Sequence, residues 1–446
     1  MIHYKNRRQT KSRGTAMIWI VITFGVMCLF CGLAVDLGRA QTAKTELRRA
    51  ADAAARAGAM EILKGNTDYS SDSKSVLTIV AEVAKANLAD GTPVVLNTST
   101  DIQIGTWNSF TRMFTPTFSS PNAVRVYARR NGAANQNAVP LIFTQVIGRK
   151  SLDVWAVSVA QVVTVNTVTN FSVSANSNPW LAGTQNLTPG SETASITDPG
   201  YPSSNHPWQH DINGPPDSKN FKTGEPYGSP PVVNLNLQPG DIINLSDVSG
   251  TAQNDPNGTK FSANGDQGAK GIYDDSASHP YVNTSNVNSY EQNISNYPTG
   301  MTEHYISDTY APINGMMGVF LNGDVPPTAG GVPALLNQNV EILNFSGTGS
   351  NPTQSATYLN IANYTYQGTQ YTVTPVSQDY TTLSPKLQQA FYAGDGMNSS
   401  GNSQYLMVPE GGSQLYLATM DGHEWSNNVG GFVVGKITQY RIELVQ

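Results

Sequence analysis

Cysteine is almost missing from this chain: Cys28 and Cys31 are the only two among 446 residues. They stand three apart in an apolar N-terminal stretch, on one face of a helix, and read as small apolar packing residues. No disulfide is therefore available to the rest of the chain. Charge is scarce as well, at 13% of residues, which excludes a highly charged disordered polymer. The first 35 residues contain no acid at all, while beyond them 21 basic residues face 32 acidic ones. Such a body repels nucleic acid and anionic lipid, and no nucleic-acid partner is expected. Also missing are a Gly-x-Ser-x-Gly elbow, a phosphate-cradling Gly-Lys loop, a Cys-rich zinc motif and a dinucleotide fingerprint, so the chain does not read as an enzyme. Proline is absent before Pro93, which leaves room for a long helix near the start.

What is present begins with 22 consecutive uncharged residues, Gly14 to Val35. As a helix this stretch spans roughly 33 Å, enough to cross a bilayer. Lys5, Arg7, Arg8, Lys11 and Arg13 precede it, so the N-terminus is expected in the cytoplasm and residues 36–446 on the far side of the membrane. A signal peptide has a shorter apolar core and a small-x-small cleavage site, so retention as an anchor is expected. The helix should run on through Asp36 to Lys64, a segment rich in Ala, Leu, Arg and Glu. Ala43, Leu47, Ala50, Ala54 and Ala57 form a narrow apolar stripe at spacings of four and three.

The run Ala34-Val35-Asp36-Leu37-Gly38-Arg39, followed by Leu47-Arg48-Arg49-Ala50-Ala51-Asp52-Ala53-Ala54-Ala55-Arg56-Ala57-Gly58-Ala59, resembles the N-terminal pattern of TadE/TadG-like Flp (tight-adherence) pilus-assembly proteins. That resemblance implies a bacterial inner-membrane protein with a periplasmic or extracellular body and other Tad pilus components as partners. The Glu that pseudopilin members carry just after a processed Gly is missing after Gly14.

Between residues 93 and 165 the pattern changes to alternating runs. Ile102–Trp107, Ala123–Arg129 and Val154–Ala160 have the period of two that marks half-buried strands. Beyond residue 165 composition shifts again: 281 residues hold only seven Lys or Arg and are crowded with Asn, Ser, Thr, Gly, Pro and Tyr. Frequent turn residues and short apolar runs such as Met317–Leu321 and Leu415–Ala418 indicate an all-β sandwich. Four parts follow: a basic tail at 1–13, a transmembrane helix at 14–35, a Tad-like helix with a small α+β region at 36–165, and a β-sandwich at 166–446. The fold class is mainly β. Ser384 before Pro385 predicts one short helix over Leu383–Phe391, and the proline-rich stretch 190–231 reads as a long surface loop.

Chemistry concentrates in residues 415–434, where two apolar runs flank an oxygen-rich loop. Asp421, Asn427, Asn428 and a backbone carbonyl near Trp425 are hard oxygen donors of the kind calcium takes. On composition alone, an Asp followed by Asn-Asn-x-Gly is more often only a hairpin turn. The stretch also looks like the calcium-loop end of the PA-I-type galactose-binding lectin domain. Gln238–Ile243, the loop Phe261–Asp266, Ala311–Leu321 and Val408–Gly412 match that domain in order. The resemblance implies a galactose-binding-like, jelly-roll β-sandwich and a Ca2+ held by Asp421, Trp425, Asn427 and Asn428. It implies a carbohydrate of galactose type, bound through Asp421, Trp425, Asn428, Asp266 and His423. Two other patterns are set aside. Asp274-Asp275-Ser276-Ala277-Ser278 spells a von Willebrand-type metal motif, but no apolar parallel strand precedes it. His206 and His210 are interrupted by Pro207 and make no zincin site.

Overall fold

The computed structural model describes residues 13–445 apart from 71, 133–137, 176, 178, 180–181, 183–229, 231, 254–258, 274–301, 304–305, 308, 324–340, 348–362, 367–368 and 421–430. Among the described residues the chain is mainly β, with 42% strand against 23% helix and one long apolar N-terminal helix. It divides into two compact units: residues 1–163 with 442–446, and residues 164–441. Most of the 190–231 stretch, the Asp274–Ser278 motif and His206 and His210 lie outside the described residues.

In the first unit, helix α1 runs from Arg13 to Leu63, 51 residues, so the span and its continuation form one rod. It stops where Gly65 takes a left-handed φ of 78° and the Lys64 and Gly65 N–H groups turn back to the Met60 and Ile62 carbonyls. Helix α2, Val76–Lys85, is capped by Ser75, whose side chain accepts from the Thr78 N–H, and buries Val76, Val80 and Ala84. The strand Ile102–Asn108 pairs with Met113–Pro116 on one side and Ala123–Arg130 on the other, and the latter pairs with the strand that begins at Val154, all antiparallel.

The buried stripe of α1 is wider than the sequence alone indicates. Ala40, Ala43, Leu47, Ala50, Ala51, Ala54, Ala55 and Ala59 are all buried, while Ala57 is half-buried. The cause is contact on two sides. A Cβ added to Gly58 would stand 2.7 Å from Val80 of α2 and 3.0 Å from Val124 of the sheet, so the helix is wedged between both. Alanine and glycine permit that approach; a branched side chain would not fit.

In the second unit two sheets enclose one core. One has the order Thr382–Leu383, Tyr405–Met407, Ile242–Ser249, then the strand that starts at Phe432. The other has the order Asn363–Tyr366, Thr369–Ser377, Ile342–Gly347, Thr309–Leu321, Gln414–Thr419, Val232–Val233. Asn264–Tyr273 and Phe391–Tyr392 also pair with Thr309–Leu321. Phe320, Phe345, Phe391, Met316, Met317 and Ile243 are fully buried in the space between. Unlike the alanine seam of the first unit, this core is filled by large side chains.

Two local expectations are corrected here. The predicted helix over Leu383–Phe391 is absent: Thr382–Leu383 is strand, Leu387 and Gln388 form a turn, and Phe391–Tyr392 is strand again. Gln388 has φ of 62°, its N–H goes to the Phe320 carbonyl at 2.9 Å, and the Ala390 N–H goes to the Ser307 hydroxyl. Tertiary partners thus take the amide hydrogens a helix would use, and burial of Leu387, Ala390 and Phe391 holds the segment extended. The loop expected at Phe261–Asp266 ends earlier, since Asn264 already opens a strand opposite Gly315.

Candidate functional site

The first arrangement lies where α1 leaves its apolar stretch. Gly32, Asp36, Arg39, Ala43 and Glu46 recur at spacings of four and three, so one helix face carries them all. Asp36 is only 2% exposed, and its carboxylate accepts three consecutive backbone N–H groups: Ile142 at 2.8 Å, Phe143 at 3.0 Å and Thr144 at 2.8 Å. Burial by itself pushes this carboxyl upward, but hydrogen bonds from Ile142, Thr144 and Phe143 outweigh it and hold Asp36 below the ordinary carboxylate range. One turn towards the N-terminus, Gly32 lets Phe143 lie against the helix: an added Cβ would come within 2.5 Å of the Phe143 Cβ and 2.7 Å of its ring.

One turn in the other direction, Arg39 reaches Asp90 with its Nε at 2.8 Å and a second nitrogen at 3.2 Å. Asp90 sits at φ of 49° in the tight turn between Leu88–Ala89 and Thr92–Pro93. Its N–H is accepted by Glu46 at 2.6 Å, and Arg130 donates to the Ala89 carbonyl at 2.8 Å and to Asp90 at 3.2 Å. The carboxylate of Asp90 is therefore shared by two guanidinium groups, and the hydrogen bond from Arg39 to it raises the Arg39 pKa further. One face of α1 is thus clasped to two separate segments of the first unit, the loop at 142–144 and the turn at 89–90.

Sequence reading marked Asp36 and Arg39 only as part of a motif and missed their partners. A signal was present. An acid at the mouth of an apolar span, in phase with Arg39 and Glu46, has to find donors on one common side.

In the second unit, Asp421, His423, Trp425, Asn427 and Asn428 lie outside the described residues. Asp266 is described by its backbone, in the strand Asn264–Tyr273 opposite Ile313. The segment that leads into the loop is described closely. Thr419 donates its hydroxyl to the Ala175 carbonyl at 2.7 Å, and Met420 exchanges bonds with the neighbouring strand: its N–H goes to Gly315 at 2.8 Å, and its carbonyl accepts from Asn314 at 2.7 Å. Asn314 takes φ of 63°, is 1% exposed, and both side-chain amide atoms are buried without a hydrogen-bond partner. Such an orphaned amide is costly and marks a place where a polar group belongs.

Beside it, Asn264 donates to Asp395 at 2.8 Å and accepts from the Asp395 N–H at 2.9 Å and the Tyr392 hydroxyl at 3.2 Å. Asn264, Tyr392 and Asp395 thus form one polar cluster on the strand pair that includes Asn314, whose backbone bonds the residue preceding Asp421. Their carbonyl, amide and carboxylate oxygens are chemically suited to a hard cation. Among the described residues, no group of three or more His, Cys, Asp or Glu forms a metal cluster.

No curated protein and no solved structure matches the chain. One family model does, described as putative Flp pilus-assembly TadE/G-like; it matches residues 14–61, the stretch of α1 that carries Gly32, Asp36, Arg39 and Glu46.

Proposed function

We propose that this protein is a membrane-anchored, extracytoplasmic component associated with the Tad/Flp pilus, and that its second unit is a non-enzymatic, calcium-dependent carbohydrate-binding module. The observation that carries the first half is a coincidence of position. The family match at 14–61 falls on the helix whose apolar stretch can cross a membrane and whose exit is clasped through Asp36. In this reading residues 14–35 sit in the inner membrane, the basic tail is cytoplasmic, and the body faces the periplasm or exterior. Accessibility of single cysteines at Met1 and Thr111 to an impermeant maleimide in intact cells tests the topology. Reaction at position 1 with protection at 111 would reverse it.

The carbohydrate half rests on the sequence order, an oxygen-rich stretch at 421–430 between the strands Gln414–Thr419 and Phe432–Val445, and on the unpartnered side-chain amide of Asn314, whose backbone N–H bonds Met420. Asp421, Asn427, Asn428 and the carbonyl of Trp425 would hold the ion. Sugar hydroxyls would complete its shell beside Asp266 and His423, with Trp425 stacking on the apolar sugar face. Calorimetric titration of calcium into the metal-stripped full chain, wild type beside Asn427→Ala, is the test. Saturable binding weakened by the substitution supports the module and justifies a glycan screen. Absence of binding in both leaves a structural part of the pilus machinery, and release of sugar products would make the unit an enzyme instead.

A further inference from the structure

The loop Pro140–Lys150 of the first unit is fixed to α1 at two levels, through Asp36 and through Gly32. Gly32 lies inside the apolar stretch, and at a rise of about 1.5 Å per residue it sits roughly 6 Å deeper than Asp36. The ring that packs against it, Phe143, is therefore held at the level of the acyl chains if α1 spans the bilayer. Phe143 nevertheless remains 47% exposed and its neighbour Ile142 56% exposed. Phe143 and Thr144 also wall an apolar pocket of about 220 Å³ against Val26, Leu29, Phe30 and Leu33 of the spanning helix.

Backbone polarity is what normally keeps an irregular loop out of lipid, because bare N–H groups find no partner there. Here Asp36 takes up the N–H groups of residues 142, 143 and 144. Arg149 and Lys150, both exposed, follow at the loop's other end. The acidity of the body does not oppose a membrane contact at this place: residues 36–165 carry 14 basic and 10 acidic side chains, so the acid excess is confined to residues beyond 165. The outward apolar surface is continuous with that of the spanning helix, and lipid is the occupant that already covers the latter.

We infer that the loop Pro140–Lys150 is a second membrane contact, in which Ile142 and Phe143 insert among acyl chains beside α1 while Arg149 and Lys150 meet headgroup phosphates. This rests on the reading that residues 14–35 lie in the bilayer. The carboxylate of Asp36 then works as a hydrogen-bonding cap that makes a loop compatible with lipid, and the contact fixes how the first unit stands on the membrane.

The test uses the full chain in lipid nanodiscs, with Cys28 and Cys31 replaced by Ala and one nitroxide placed at Leu29, Ile142 or Thr111. Accessibility to oxygen and to a water-soluble nickel chelate reports depth. The expected result is that labels at Leu29 and Ile142 are both oxygen-exposed and at least threefold protected from nickel relative to Thr111. Nickel access at Ile142 equal to that at Thr111, with Leu29 still protected, overturns the loop contact and leaves the anchor standing. Nickel access at Leu29 itself removes the anchor and the loop contact together.

Discussion

The two units each bury a carboxylate and satisfy it by opposite means. Asp36 in the first is held by three backbone N–H groups and forms no ion pair among the described residues, Arg39 acting on it only through space. Asp241 in the second is fully buried and held by Arg441 at 2.6 and 2.8 Å, by the Gln439 amide at 2.6 Å and by the Gln238 N–H at 2.9 Å. A unit with only seven Lys and Arg places one of them on this aspartate. The cores differ in the same spirit. The first is an alanine seam where a helix is wedged against two neighbours, the second a space filled with phenylalanine, methionine and leucine. One region gains stability by close backbone approach, the other by apolar volume.

The sharpest way to break the comparison is to remove a partner from the ionic case. Asp241→Ala leaves Arg441 and Gln439 facing an empty polar site, and loss of one member of a buried pair costs about 3–5 kcal/mol. Hydrogen exchange in the full chain should show the loss at the Ile242–Ser249 strand, with α2 unaffected. A change below about 1 kcal/mol there would mean that the pair adds nothing beyond packing.

Volume distinguishes the cores next. Phe320→Ala should cost about 3–5 kcal/mol in the second unit, because the ring stacks on Phe391 at 5.4 Å between centroids and nothing fills the space it leaves. In the first unit the informative change runs the other way. Ala54→Leu adds methylenes where none fit and should cost about 1–3 kcal/mol, read from faster exchange in α1 and α2. If Ala54→Leu were neutral, the seam would be loose and the contrast between the two cores would fail.

Much of the first unit was legible because its signals are local. The strands near 102, 123 and 154 announce themselves by alternation, and α1 by a long run without proline. What escaped was long-range. Asp90 lies 51 residues from Arg39, and Asp241 lies 200 residues from Arg441, separations at which no periodicity carries information. The segment 383–391 misled for a related reason: Ser-Pro is a good helix start, yet the demands of the Phe320 carbonyl and the Ser307 hydroxyl, far along the chain, decide its backbone. Of the candidate calcium site only the approach is described. Asn314 gave no sequence signal, since an Asn before a Gly reads as an ordinary turn.

The smallest expected effect sharpens the first half of the comparison by pH. Asp36 is held below its ordinary value of 3.8, so its contribution is complete above that pH and is lost as pH falls further, through the lowered value. Between pH 5 and 8 the loop at 142–144 should therefore stay fixed. As pH falls below 3.8 and through the lowered value, the carboxyl takes up a proton, loses acceptor capacity, and the grip on three N–H groups weakens. A nitroxide at Ile142 in the nanodisc-bound chain should gain mobility over that range. Asp36→Asn, which keeps one carbonyl acceptor but has no charge and does not titrate there, should show intermediate mobility at every pH. A wild-type label whose mobility follows the flat profile of Asp36→Asn would mean that the loop is held by Phe143 against Gly32 and that the carboxylate is incidental.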